Sequence, residues 1–375
     1  MKRLIKKIKS PILSIPEPLT ANYFPCLDGL RGLAILMVLL PHFGINKYLY
    51  HTSGMLIESN TGVHLFFIIS GFLITTLLLK EKVANGKVSL KYFYIRRALR
   101  ILPVAYLFLV VLAILSIIFR LHLSAFDFIG AGTFITNLPM GGSYYTAHFW
   151  SLAVEEQFYL VFPLLLVFNL ECYFIVALLL ITVVPLTCIA ATCFPTIFGG
   201  GLFVKLCLYA FWKGPIIILI GSVSAIMVFK QMITLKPSRL YAFGGIILIV
   251  IAIIIRTRNF PLYTKYASEY ISAILMAFVI VFSFGQKGLL IRILTSKILM
   301  RIGILSYSLY IWQQLFVGSN TWQPWMRYLH ELPLWQLVIF KILVVFVIAF
   351  FSYKYERYFL KIKEKLKYDK GRLII

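Results

Sequence analysis

The sequence predicts an all-α fold, a polytopic membrane bundle of about ten transmembrane helices. Two observations predict it. Hydrophobic residues make up 61% of the 375 and charged ones only 13%, with a mean hydropathy of +0.91, whereas a soluble domain is nearer half apolar and about a quarter charged. The remaining charge falls in short segments between long apolar runs. The formal net charge of +24 would suggest nucleic acid in a soluble chain. Here topology and a lipid bilayer with anionic headgroups account for it, and no nucleic-acid partner is expected.

A helix needs about 20 residues to cross the hydrocarbon core. Residues 1–20 are basic, yet Pro11, Pro16 and Pro18 stand where a signal peptide would carry its apolar stretch, so no cleaved leader is expected and the amino terminus is expected to be cytoplasmic. The runs at 29–44 and 61–79 are short and interrupted, by Pro41 and Gly44 in one and Gly62 and Gly71 in the other. Such breaks are tolerated where backbone faces protein or a cavity, which predicts a pocket nearby; two merely kinked helices are the plainer alternative. Runs at 101–119, 149–168, 173–194, 207–229, 240–255, 270–284, 300–317 and 334–353 follow.

Ten spans from an inside start place 1–20, 80–100, 169–172, 230–239, 285–299 and the tail in the cytoplasm. Apart from the short 169–172 link, these segments carry nearly all the clustered lysines and arginines. The opposite loops have isolated ones or the small set Arg256, Arg258 and Lys265. With no internal repeat or soluble module, the expectation is one membrane domain over 21–359, flanked by basic segments 1–20 and 360–375, multi-pass in the inner (cytoplasmic) membrane with both termini cytoplasmic. Cys26, Cys172, Cys188, Cys193 and Cys207 show no CxxC or His–Cys spacing. They read as small core residues, and no metal site is expected.

Three constellations can carry chemistry. In RGLAILMVLLPHF, His42 follows Arg31 by eleven residues, about 16 Å along a helix, so an ionisable ring lies inside the first span, a costly placement usually kept for function. Arginine suits a phosphate or carboxylate, and imidazole a general base or nucleophile. Alternatively, Arg31 sets topology and His42 bonds a carbonyl; on these residues alone the two readings balance.

In HFWSLAVEEQFYLVFP, His148, Glu155, Glu156 and Gln157 sit at the outer end of the fourth span or one to two turns inside it. Adjacent carboxylates are about 100° apart on a helix, so only one can face a given cavity. Helix capping explains them only if the helix starts near Ser151. In FYIRRALRILP, Arg97 and Arg100 share a face next to Arg96; they fit the phosphates of a large anion, though topology-setting arginines look the same.

LDGLRGLAILMVLLPHF, GVHLFFIISGFLITTLL, FYIRRALRILP, HFWSLAVEEQFYLVFP and LSYSLYIWQQLF, in this order and spacing, resemble the successive motifs of the membrane-bound acyltransferase 3 family, closely over 24–170 and more loosely over 300–359. The resemblance implies an integral membrane O-acyltransferase taking an acyl group, commonly acetyl, from cytoplasmic acyl-coenzyme A (acetyl-coenzyme A) to a hydroxyl of a cell-envelope saccharide. Lipopolysaccharide O-antigen, exopolysaccharide and lipid-linked oligosaccharide are the expected acceptors. It further implies Arg31 and His42 as the essential pair, Arg97 and Arg100 as the double-arginine element and Glu155 as the acidic residue; by their chemistry Arg31, Arg97 and Arg100 are expected to bind the donor's phosphates. Asp28, Ser70, Glu156 and Gln157 also match the pattern.

The chain departs from that pattern where Gln313 replaces a common histidine, Arg357 a usual proline and His64 a frequent aspartate. Many relatives append an extracytoplasmic hydrolase-like domain. None is expected within these residues, so the acyl group is expected to pass directly to its acceptor or to a separate protein.

A secondary transporter is the rival class, since mid-membrane ionisable groups also mark substrate and proton paths. It predicts interrupted spans repeated in the two halves, and none is found. Small lipidic or antibiotic acceptors remain open within the enzyme class. Tyr144, Tyr145, Trp150, Trp322 and Trp325 read as an interfacial aromatic belt ahead of a sugar-stacking surface.

Overall fold

The computed structural model describes residues 7–53, 58–138, 142–194, 201–212, 214–233, 239–257, 265–284, 288–317, 323–329 and 331–367. Every regular element among them is helical: α1 (Pro25–His42), α2 (Asn60–Asn85), α3 (Leu90–Phe119), α4 (Phe149–Phe168), α5 (Leu170–Cys193), α6 (Pro215–Phe229), α7 (Arg239–Ile254), α8 (Lys265–Phe282), α9 (Lys297–Ile304), α10 (Ser306–Trp312) and α11 (Leu334–Lys367), with short helices between them. Backbone groups bonded within their own helix suit a medium without water. Apolar side chains such as Val110, Ile117, Leu160, Phe168 and Leu343 point outward, a surface suited to lipid.

Each predicted span corresponds to helix, but not all to a full crossing. α1, α2, α3, α4, α5 and α11 are long and apolar enough, and a seventh span results if Leu202–Trp212 and α6, bent by 63°, are taken together. The segments at 240–255 and 270–284 form shorter apolar helices, and the run at 300–317 is divided at Leu305 into α9 and α10.

The expected break in the second span is absent: α2 runs unbroken past Gly62 and Gly71. Its glycines serve close approach instead. A Cβ on Gly71 would strike the Ile218 carbonyl of α6, one on Gly221 of α6 would strike the Ile68 carbonyl, and one on Gly62 would strike Ala34 and Val38 of α1. Small residues of this kind let membrane helices pack backbone to backbone. Thr75 and Ser222 bond at 2.7 Å, and Tyr173 meets Ser222 at 2.6 Å, tying α2, α6 and α5 together with polar contacts. Gly86, at φ +71°, ends α2 in the left-handed conformation that glycine adopts without strain.

The basic segment 1–20 lies against the bundle over its described part: Leu19 is fully buried, and Lys230 donates to the carbonyls of Ile8 (2.6 Å) and Ser10 (2.8 Å). Lys80 donates to Ala21 O at 2.8 Å. α11 continues through residue 359 to Lys367. Cys26, Cys188 and Cys207 are buried as expected of core residues, but Cys172 and Cys193 are exposed. Arg258 and Trp322 lie outside the described residues.

Candidate active site

Four helices bring the motif residues to one place. Arg31 of α1, Ser70 of α2, Arg97 and Arg100 of α3 and Glu155 of α4 line a narrow cavity of about 90 Å³, with Ser151, Tyr159 and Tyr310. A wider chamber of about 360 Å³ shares Arg31, Arg97 and Arg100 and adds Asp28, Glu81 and Arg96. The three shared guanidinium groups thus stand in both walls.

Local structure sets this arrangement. Glu81, near the end of α2, accepts from the Ser89 amide at 2.8 Å and pairs with Arg96 at 3.3 Å, which fixes the start of α3. Arg97 and Arg100 follow on one face. Arg97 lies over the rings of Tyr159 (5.3 Å) and Phe93 (5.7 Å) and has no carboxylate within ion-pair distance among the described residues. Arg100 pairs with the fully buried Glu356 of α11 at 3.1 Å. Asp28 approaches Arg31 at 3.8 Å and accepts from the Tyr23 hydroxyl at 2.6 Å. Tyr23 precedes α1, and that hydrogen bond is the main reason its phenol is pushed up to about 12, so it stays a donor.

α4 begins at Phe149, and its first turn holds no acidic residue. The carboxylates therefore lie in the second turn, beyond the capping positions. Glu155 accepts from Ser70 Oγ at 2.9 Å and faces the cavity. Glu156 is outside the lining, with Oε1 buried and unbonded among the described residues. Gln157 exchanges hydrogen bonds with the Asn137 amide at 2.8 and 2.9 Å and donates to Phe134 O at 2.9 Å, pinning a loop.

His42 is held apart from this cluster and is absent from the lining of both cavities. Its Nδ1 lies 2.8 Å from Oε1 of the fully buried Gln313; an amide oxygen accepts, so in this orientation Nδ1 carries the proton and Nε2 is the basic nitrogen. In the cavity wall Tyr310 bonds Ser151 Oγ at 2.6 Å and donates to His148 O at 3.1 Å. The His148 ring packs against Phe108 and Phe149, with both nitrogens buried and unbonded among the described residues.

Sequence reasoning missed Tyr159 and Tyr310 as cavity walls, although Tyr159 shares a helical face with Glu155, four residues earlier. It also placed Arg256 among loop charges. Arg256 is 1% exposed and pairs with Glu58 (2.9 Å) and Glu269 (3.3 Å). Of the aromatic residues, Tyr145 packs on Tyr144 and Trp325, Trp325 donates to Leu315 O, and Trp150 meets Phe67 edge-on.

No solved structure matches the chain. The O-acetyltransferase OatA of Staphylococcus aureus is 28% identical over 364 residues, covering 89% of this chain and 56% of its own length. The peptidoglycan O-acetyltransferase OatA of Listeria monocytogenes is 28% identical over 359 residues, covering 89% and 55%. The chain thus spans about half the length of the curated relatives it matches. A family profile described as an acyltransferase domain matches residues 24–354, and with the motifs from all four site helices inside that match, the chain belongs to this family, the membrane acyltransferases that its sequence resembles.

Proposed function

We propose that the protein transfers an acyl group, acetyl, from cytoplasmic acyl-coenzyme A to a hydroxyl of an envelope saccharide. Peptidoglycan, named for the Listeria relative, joins O-antigen, exopolysaccharide and lipid-linked oligosaccharide as acceptor. The observation that carries this reading is the meeting of Arg31, Arg97 and Arg100 with the Ser70–Glu155 pair on one continuous cavity wall. Guanidinium groups suit the phosphates of a nucleotide thioester. The arginine end of the bundle is also where Lys80 and Lys230 bind the amino-terminal segment, and such clustered positive charge favours the cytoplasmic side.

In this reading His42 Nε2 accepts the proton of the acceptor hydroxyl as its oxygen bonds to the thioester carbonyl carbon. The carbon–sulfur bond then breaks, and coenzyme A leaves as a thiolate that takes up a proton. In the covalent variant, Nε2 attacks the carbonyl first and holds the acyl group until the hydroxyl displaces it. Arg31 and Glu155 orient and balance charge at the thioester, Arg97 and Arg100 hold phosphate, and Asp28 positions Arg31.

Proteoliposomes given acetyl-labelled coenzyme A should release free thiol and label an envelope saccharide, and His42→Ala should stop both while the protein stays folded. Equal acetyl content of surface glycans with and without the chain would refute the reading, and solute uptake with no thiol release would point to a transporter. Label trapped on the wild-type protein without acceptor, and lost in His42→Ala, would establish the covalent variant.

A further inference from the structure

Beyond the arginine-lined chambers lies a third cavity of about 480 Å³, walled by His64, Asn137, Trp150, Trp212, Tyr266 and Glu269 among others. Its position and chemistry differ from theirs. It sits where α2 and α4 begin, at Asn60 and Trp150, whereas the guanidinium groups gather where α2 ends and α3 begins. Among the described residues its lining includes no arginine or lysine. Among the described residues, Arg256 is packed behind it and faces two carboxylates, Glu58 and Glu269.

What it does offer is a mixed wall of rings and uncharged or acidic hydrogen-bonding groups. Trp212 and Tyr266 pack edge-on at 5.0 Å, and Trp212 Nε1 donates to Glu269 Oε2 at 2.7 Å, which holds the indole in place. Asn137 is held by Gln157 at 2.8 and 2.9 Å. Ring faces suit the carbon–hydrogen faces of a pyranose, and amide, imidazole and carboxylate groups suit its hydroxyls. The volume is within the ordinary range for small-ligand sites.

The two regions meet at Phe67. This side chain lines the narrow arginine-side cavity, touches Trp150 edge-on at 6.0 Å and stacks on His64 at 6.5 Å, and both of those rings wall the third cavity. Ser70, bonded to Glu155, is about one turn further along α2.

We infer that this third cavity is the acceptor subsite and takes a neutral saccharide, bound beside the arginine-lined cavity across Phe67. The inference rests on the acyltransferase reading and adds where the acceptor binds and what charge it carries. In the proposed orientation the subsite opens toward the extracytoplasmic half, so donor and acceptor enter from opposite ends of the bundle.

The test uses the full chain in nanodiscs with a β-1,4-linked N-acetylglucosamine trisaccharide as the acceptor probe and labelled acetyl-coenzyme A as donor. Tyr266→Ala, and Asn60→Ala at the exposed start of α2, should each raise the acceptor KM about tenfold and leave coenzyme A binding unchanged. The trisaccharide should also quench tryptophan fluorescence in wild type without donor, and do so less in Tyr266→Ala. Wild-type acceptor KM and quenching in both variants would overturn the subsite while leaving the transferase reading intact. Absence of both quenching and acetylation of the trisaccharide by wild type, with thiol release and glycan labelling intact, would also overturn the neutral-saccharide assignment. Loss of thiol release and of all glycan labelling by wild type would instead remove the transferase reading itself.

Discussion

Ser70 and Glu155, 85 residues apart in sequence, meet across the α2–α4 interface with Ser70 Oγ 2.9 Å from Glu155 Oε1. Both line the cavity that holds Arg31, Arg97 and Arg100. Leaving a buried carboxyl oxygen without its donor costs about 1–3 kcal/mol, so Ser70→Ala should lower kcat roughly 10- to 100-fold. Glu155→Gln should lower it further, because it removes the ionisable group as well as altering the bond. Steady-state thiol release checks both. Wild-type kcat in the two variants would exclude the pair from the reaction.

The α2–α6 contact makes a stability prediction independent of chemistry. Gly71 and Gly221 each face a carbonyl of the other helix so closely that a Cβ has no room, and the obstacle is backbone rather than a movable side chain. Gly71→Ala and Gly221→Ala should each destabilise by about 1–3 kcal/mol or more, seen as a lower melting temperature in detergent, while Gly86→Ala, open to space but at φ +71°, should show only the smaller backbone strain. The two packing variants share one contact, so their effects should not add.

The helical class and the positions of the helices were legible from the apolar runs, whereas the grouping of Arg31, Ser70, Arg97, Arg100 and Glu155 was expected from the resemblance of their motifs to the family, since spacing within one helix does not show which helices meet. Three things were not legible. Gly62 and Gly71 read as breaks because a glycine in an apolar run signals either a kink or a close contact, and only the partner helix decides which. Arg256 read as a loop charge because its partners, Glu58 and Glu269, lie 198 and 13 residues away. The separation of His42 from the cavity was invisible as well, since distance along one helix does not reveal which of its residues line a cavity.

Arg97 and Arg100 share a helical face yet differ in partners, and variants should separate them. Arg100 faces the buried Glu356 at 3.1 Å, and removing one partner of a buried pair costs about 3–5 kcal/mol, so Arg100→Ala should lower the melting temperature as well as activity. Arg97 rests on two rings with no carboxylate in reach among the described residues. Arg97→Ala should therefore raise the acetyl-coenzyme A KM with a smaller loss of stability, and Arg97→Lys should recover part of that KM. Thermal melts alongside donor titrations give both quantities. Equal melting losses for Arg97→Ala and Arg100→Ala would argue that the two play the same structural part.

Gln313 holds His42 by a single hydrogen bond of 2.8 Å and is itself fully buried, so its influence on the reaction acts through the ring it orients. A partner that fixes an imidazole's tautomer is typically worth about 10- to 100-fold in activity where this has been measured at metal sites, and a similar loss in kcat is expected for Gln313→Leu, which keeps the volume but removes the acceptor. The donor KM should not move, because Gln313 lies outside both arginine-lined cavities. Gln313→His restores a hydrogen-bonding ring and should recover much of the loss, but it adds a second titrating group. The plot of kcat/KM against pH should then differ in shape from that of wild type, a change that mere repacking of the core would not produce. If Gln313→Leu retained both the wild-type kcat and the wild-type pH profile, the orientation of His42 would have to be set by other contacts.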